Sequence, residues 1–218
     1  MSDLALLIGN KNYSSWSLRP WLLLRQSGLA FDESRVALDT PGFAATVRAW
    51  SPAGHVPVLR HGETHVWDSL AICEYLAEVF PDKKLWPRER EARALARAIS
   101  AEMHSGFQAL RSQMPMNVRA SGRKVRETPE LARDVARVAA LWRDCLERKG
   151  ARGPFLFGEF SIADAMYAPV AFRFATYGVR LEKAEQAYSD GLRQLPAMRA
   201  WAEAAARESE TLPSEEVG

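Results

Sequence analysis

The sequence predicts a small α/β domain followed by an all-helical one, and three observations carry that expectation. Four short apolar or alternating runs lie before residue 68, set apart by Gly, Pro and Asn as strands are. Helical spacing falls between and after them, giving the order βαβαββα up to residue 80. Beyond a proline-bounded stretch, residues 81–87, apolar side chains recur at intervals of three and four.

The first strand is Leu4 to Ile8, a continuous apolar run suited to a central strand covered on both faces. Gly9 and Asn10 end it. A helix is expected to begin near Ser17, with Leu18, Trp21, Leu22 and Leu24 or Arg25 on its spacing, Pro20 in its first turn and Gly28 as its stop. Residues 31–38 alternate weakly and carry charge, as an edge strand does. A turn at Thr40-Pro41-Gly42, a short helix over 43–50 and a loop over 51–55 follow. Val56-Pro57-Val58-Leu59 reads as a strand opening on a proline, a place where a cis bond is admissible. His61-Gly62-Glu63 turns the chain into a fourth strand over 64–67. Asp68-Ser69 then starts a helix whose inward stripe is Ile72, Leu76, Val79 and Phe80.

Residues 81–87 have the composition of a linker, with Trp86 docking between domains. Leu95, Ile99, Met103 or Glu102, Gly106 and Leu110 trace one long helix up to Pro115. Thr128-Pro129 caps a helix through Leu131, Val135, Val138, Trp142 and Leu146 to Gly150. Ser161-Ile162-Ala163-Asp164 has the form of a capping box, opening a helix that Pro169 kinks and Gly178 ends. Helices over 182–192 and 196–207 complete the chain, and residues 211–218 form a polar tail expected to fray. The domain boundaries so drawn are 1–80, a linker over 81–87, and 88–218.

Composition narrows the function classes. With 47% hydrophobic and 26% charged residues and no apolar run near the roughly 20 residues a bilayer requires, membrane insertion is not expected. A net charge of +2 is too small for nucleic-acid binding. Asp3 stands where a secretory leader needs basic residues, so a cytoplasmic location is expected. Cys73 and Cys145 fall on apolar helix faces, where cysteine behaves as a small buried hydrophobe. His61 and His65 are separated by a hairpin turn rather than sharing a helix face, so no metal site is expected. Residues 119–126 hold four basic side chains in eight, a solvated loop able to draw an anion toward a cleft.

The chemistry concentrates in the turn after the first strand. Tyr13, Ser14, Ser15 and Ser17 sit at a helix N-terminus, where unpaired N–H groups and the positive end of the dipole favour an anion, read here as a thiolate. The same serines serve equally as helix caps, and the two readings stand together.

Four features, in order across the chain, resemble a cytosolic glutathione transferase. Ser14 to Arg19, SSWSLR, is similar to the serine-rich active-site turn of the zeta class. His55-Val56-Pro57 matches the family's Val-Pro with its cis-proline. Asp68-Ser69-Leu70-Ala71-Ile72 with Glu74-Tyr75-Leu76 is similar to the family's signature at its third helix, and Ser161 to Asp164 with Pro169 has the spacing of its sixth. The first domain, a βαβαββα arrangement, is accordingly thioredoxin-like. Two departures stand out. Trp16 replaces the cysteine of the zeta turn, which argues against thiol-disulfide exchange, and Asp68 replaces the usual Glu or Gln.

The resemblance implies a transferase with glutathione as co-substrate, no metal, and a homodimeric assembly. It implies that Ser14, favoured on motif register, or Ser15 donates to the thiolate. His55, Val56 and Pro57 would pair with the cysteinyl backbone, and Asp68 and Ser69 would hold the γ-glutamyl end. Met103, Phe107, Met114 and Met116 are the candidates for a hydrophobic electrophile site. Zeta-like cis-trans isomerisation of a dicarboxylic dienone, and noncatalytic ligand binding, are the alternatives.

Overall fold

The computed structural model describes residues 3–149 and 152–218. Its sheet has the order β2-β1-β3-β4, with β1 (Leu4–Ile8), β2 (Asp32–Arg35), β3 (Val58–His61) and β4 (Thr64–Trp67). β1 runs parallel to β2 and antiparallel to β3, with Leu7 opposite both Ser34 and Val58. As the central apolar run predicts, β1 is covered on both sides. Leu4, Leu6 and Ile8 enter the main core, whereas Leu7 joins Val36, Val47 and Val58 in a small cluster on the opposite face.

Helices α1 (Ser15–Gln26) and α3 (Ser69–Val79) lie on the main-core side, and α2 (Phe43–Arg48) supplies Val47 to the smaller cluster. The helical layer comprises α4 (Arg90–Ser105), α5 (Gln108–Gln113), α6 (Pro129–Lys149), α7 (Ile162–Tyr177), α8 (Lys183–Arg193) and α9 (Pro196–Ala206). α7 is buried over almost its entire length. It packs on α1 and α4, so one continuous apolar cluster runs from Leu4 in the sheet to Trp201 in α9. No helix among the described residues is long and apolar enough to cross a membrane.

Local signals place many boundaries. Thr128 Oγ1 accepts the Leu131 N–H at 3.2 Å and caps α6. Gly150, read as the stop of that helix, lies outside the described residues. The box at α7 forms in full: Asp164 is completely buried and accepts from Ser161 N, Ser161 Oγ, Leu156 N and Tyr188 Oη. Gly178, at φ 64, ends α7 in the left-handed conformation that suits glycine.

Several expectations are corrected. α1 begins at Ser15, so Pro20 sits in its second turn, and the ladder lacks the N–H that would reach the Trp16 carbonyl. β3 begins after Pro57, not at Val56. Val79 on α3 is 37% exposed, and the inward positions are Ser69, Ile72, Cys73 and Leu76. The long helix expected up to Pro115 breaks between α4 and α5. A Cβ at Gly106 would lie 2.8 Å from the Glu102 carbonyl oxygen, and Phe107 takes a left-handed φ of 60. The tail does not fray: Leu212 is buried, Pro213–Glu215 form a 3-10 turn, and Glu216 accepts from Tyr13 Oη at 2.6 Å and Asn117 Nδ2 at 2.9 Å.

Candidate active site

The turn leaving β1 is held from far along the chain. Its Lys11 and Asn12 N–H groups donate to the two carboxylate oxygens of Glu208, at 2.7 and 3.0 Å. Trp201 Nε1 donates to the Lys11 carbonyl at 2.8 Å, and the Asn12 side chain bridges to Asn117 and to the Arg119 N–H. A turn whose Lys11 and Asn12 backbone groups are held by partners from the helical layer is a fixed platform. It sets Ser14 and Ser15 at the start of α1.

The two serines play different parts. Ser14 is the N-cap: its Oγ lies 2.7 Å from Ser17 Oγ and accepts the Ser17 N–H at 3.4 Å. Ser17 Oγ in turn accepts the Gly9 N–H at 3.1 Å, stitching strand end to helix start. Ser15 is the first helical residue, and its Oγ accepts from Arg173 Nη2 at 3.3 Å while its own hydrogen meets no acceptor among the described residues. Ser14, which motif register favours as the donor to a thiolate, is thus committed to the cap, and Ser15 carries the hydroxyl with the unengaged hydrogen.

Ser14, Ser15, His55, Val56, Pro57, Asp68 and Ser69 all line one cleft of about 610 Å³. The Val56-Pro57 bond is cis, and among the described residues neither backbone polar group of Val56 has a hydrogen-bond partner. Asp68, at φ 75, caps α3 through Oδ1, which accepts from Leu70 N at 2.9 Å and Ala71 N at 3.1 Å. Its Oδ2 meets His104 Nε2 at 3.1 Å. Among the described residues Ser69 Oγ is buried without a partner, as is His104 Nδ1.

The helical layer contributes cations rather than an apolar wall. Met103, Phe107, Met114 and Met116 are buried in the core, and none lines this cleft. In their place stand His104, Arg111 and Arg173, with Trp16 from α1 and Glu215 from the tail. The Trp16 ring lies 4.4 Å from the Arg19 guanidinium carbon and 4.5 Å from that of Arg111, with the His104 ring edge-on at 5.4 Å. Arg173 donates to the Arg111 and Met114 carbonyls. Burial, then repulsion from Arg111, lowers it to about 10, so it remains charged at neutral pH. Arg19 is fully buried, donates Nε to the Met166 carbonyl at 3.2 Å, and has no partner for Nη1 among the described residues.

Sequence reasoning named none of Trp16, His104, Arg111, Arg173 and Glu215 as a site residue. One signal was available: Arg173 is the lone cation in the otherwise apolar and acidic run of α7. Other demoted positions find ordinary partners, His61 Nδ1 with Tyr75 Oη at 2.9 Å and His65 Nδ1 with the Trp50 carbonyl at 2.6 Å. Arg119 of the basic loop donates to Tyr13 Oη and the Glu210 carbonyl, so it anchors the tail instead of standing in solvent. Cys73 and Cys145 are buried free thiols. Burial pushes the first upward and the second to about 12, so both stay protonated.

A cleft formed by a mixed four-stranded sheet and a helical layer, with a serine at a helix N-terminus and a cis-proline beside it, defines the class. The description "Glutathione S-transferase, N-terminal domain" matches residues 13–79, and "Glutathione S-transferase, C-terminal domain" matches residues 126–204. The chain belongs to the glutathione S-transferase family. It is 36% identical over 109 residues to glutathione S-transferase 1 of Dianthus caryophyllus, covering 48% of each chain. It is 35% identical over 96 residues to a probable maleylacetoacetate isomerase of Caenorhabditis elegans, covering 44% of each. The matched part thus spans about half the length of these curated relatives. The fold is that of a Burkholderia glutathione transferase homologue solved with bound glutathione, with a TM-score of 0.71 at 22% identity over 93% of this chain and 97% of that one.

Proposed function

We propose that this protein is a glutathione-dependent transferase whose second substrate carries a carboxylate. The observation that carries the reading is the pair Arg111 and Arg173 in the cleft, the second bonded to Ser15 at the start of α1. Glutathione lies along the sheet side. Its cysteinyl backbone pairs with the free N–H and carbonyl of Val56 beside cis-Pro57, and its γ-glutamyl carboxylate takes the unpartnered Ser69 hydroxyl at the start of α3.

The Ser15 hydroxyl donates to the thiolate. A free thiol at about 8.5 is only about 3% ionised at pH 7, and lowering it by one to two units brings the thiolate to roughly a quarter to three quarters. The Ser15 hydrogen bond, the N-terminus of α1 and the guanidiniums of Arg19, Arg111 and Arg173 all act in that direction. Arg111 and Arg173 then orient the carboxylate of the electrophile toward the sulfur. This departs from the hydrophobic electrophile expected from sequence, because the residues nominated for that pocket lie in the core.

Isomerisation is the second reading, favoured by the same two guanidiniums and by the likeness to an isomerase relative. The thiolate adds reversibly to a conjugated double bond, the bond rotates, and elimination returns glutathione. Calorimetry with glutathione, followed by paired electrophiles with and without a carboxylate, tests the proposal. Binding and preference for the acid are expected; no binding at millimolar glutathione refutes it, and equal rates with the neutral analogue refute the carboxylate assignment. Consumption of glutathione separates conjugation from isomerisation.

A further inference from the structure

The pairing of Asp68 with His104 joins the two layers at the cleft. Asp68 lies before the first residue of α3, and His104 lies in the last turn of α4. Asp68 Oδ1 is occupied by the Leu70 and Ala71 N–H groups, leaving Oδ2 for His104 Nε2 at 3.1 Å. A carboxylate only accepts, so Nε2 carries the hydrogen and Nδ1 of the neutral ring presents a lone pair. That lone pair has no donor among the described residues, although the atom is buried and the ring lines the cleft. Next to Asp68 in sequence, Ser69 Oγ is the second orphan, with a hydrogen to give. An unpaired acceptor and an unpaired donor flanking one carboxylate are complementary to an amino-acid zwitterion, ammonium on one side and carboxylate on the other.

We infer that His104, oriented by Asp68, receives the α-ammonium of the γ-glutamyl end of glutathione through Nδ1. The inference rests on the glutathione reading above. It gives His104 a place in ligand recognition and reassigns Asp68, whose carboxylate is committed to the helix cap and the imidazole, to a positioning role.

The surroundings keep the ring neutral. Arg19 from α1 and Arg111 from α5 face it with positive charge, the Trp16 ring packs against it, and Asp68 is the group favouring protonation. Burial and the two guanidiniums outweigh Asp68 and lower the imidazole below its ordinary value. Acceptor capacity is therefore retained at neutral pH and lost in acid, where a second N–H would oppose the ammonium.

The test compares glutathione with glutaryl-cysteinylglycine, which is glutathione with hydrogen in place of the α-amino group. Calorimetry on the wild-type protein at neutral pH is expected to favour glutathione by about tenfold or more, the scale of one hydrogen bond to a charged group. His104→Ala is expected to bind both ligands alike, at the affinity the wild type shows for the desamino analogue. If the wild type binds both equally, or if His104→Ala keeps the preference, the ammonium is held elsewhere and the inference is overturned. Equal weakening of both ligands by His104→Ala overturns it too, since that is the mark of a packing role. Failure of the wild type to bind either ligand refutes the glutathione reading itself, an outcome distinct from the other three.

Discussion

Replacing Ser15 and Ser14 separately by alanine separates chemistry from capping. Ser15 Oγ accepts from Arg173 and has a free hydrogen, so Ser15→Ala removes one donor to a bound thiolate. A hydrogen bond to a charged group contributes about 1.5–3 kcal/mol, and about 1.4 kcal/mol is one pKa unit, so the thiol of bound glutathione should rise by about one to two units. Near pH 7 the thiolate fraction falls, and turnover should drop roughly tenfold, recovering as pH is raised. Ser14→Ala instead removes the cap of α1 and the contact to Ser17. It should cost about 0.5–2 kcal/mol of stability and move the thiol little. Titrating the thiolate absorbance of the bound complex reads the first effect, and urea denaturation reads the second. A thiol shifted by Ser14→Ala and untouched by Ser15→Ala would refute the assignment, because the outward hydroxyl would then belong to the cap.

Ser69→Ala removes a buried hydroxyl that has no partner among the described residues, so glutathione affinity measured by calorimetry should fall by about tenfold to a hundredfold while the melting temperature of the free protein hardly changes. Asp164→Ala leaves Leu156 N, Ser161 N, Ser161 Oγ and Tyr188 Oη without their shared acceptor at a fully buried point, and should destabilise by roughly 3 kcal/mol or more in urea denaturation. Burial raises Asp164 from 3.8 to about 6. Its contribution to stability is therefore full below about pH 4 and is lost as pH rises through about 6, a slope that denaturation of the wild type across this range should show. Glu216→Gln weakens the anchor that Tyr13, Asn117 and Arg123 make on the tail, and should raise protease sensitivity of the last residues before it changes global stability.

The sequence by itself determined whatever depends on neighbours a few residues apart. The central apolar run of β1, the Gly62 hairpin, the Asp68 and Thr128 caps and the Ser161–Asp164 box were all legible, because each is satisfied within one turn or one strand pair. So was the company of His55, Val56, Pro57, Asp68 and Ser69, carried by short motifs at the ends of those elements. Tertiary structure decided what crosses the chain. Ser15 faces the cleft because Arg173 reaches it from 158 residues away, and the turn before it is fixed by Glu208, 197 residues beyond Lys11. The same holds for the break at Gly106, after which α5 brings Arg111 to the cleft, and for the tail that Glu216 ties to Tyr13. Helical periodicity marks Met103 and Phe107 as inward without saying whether inward means core or pocket. Only the packing of α7 against α1 and α4 answers that, filling the interior with their side chains and leaving the cleft to cations.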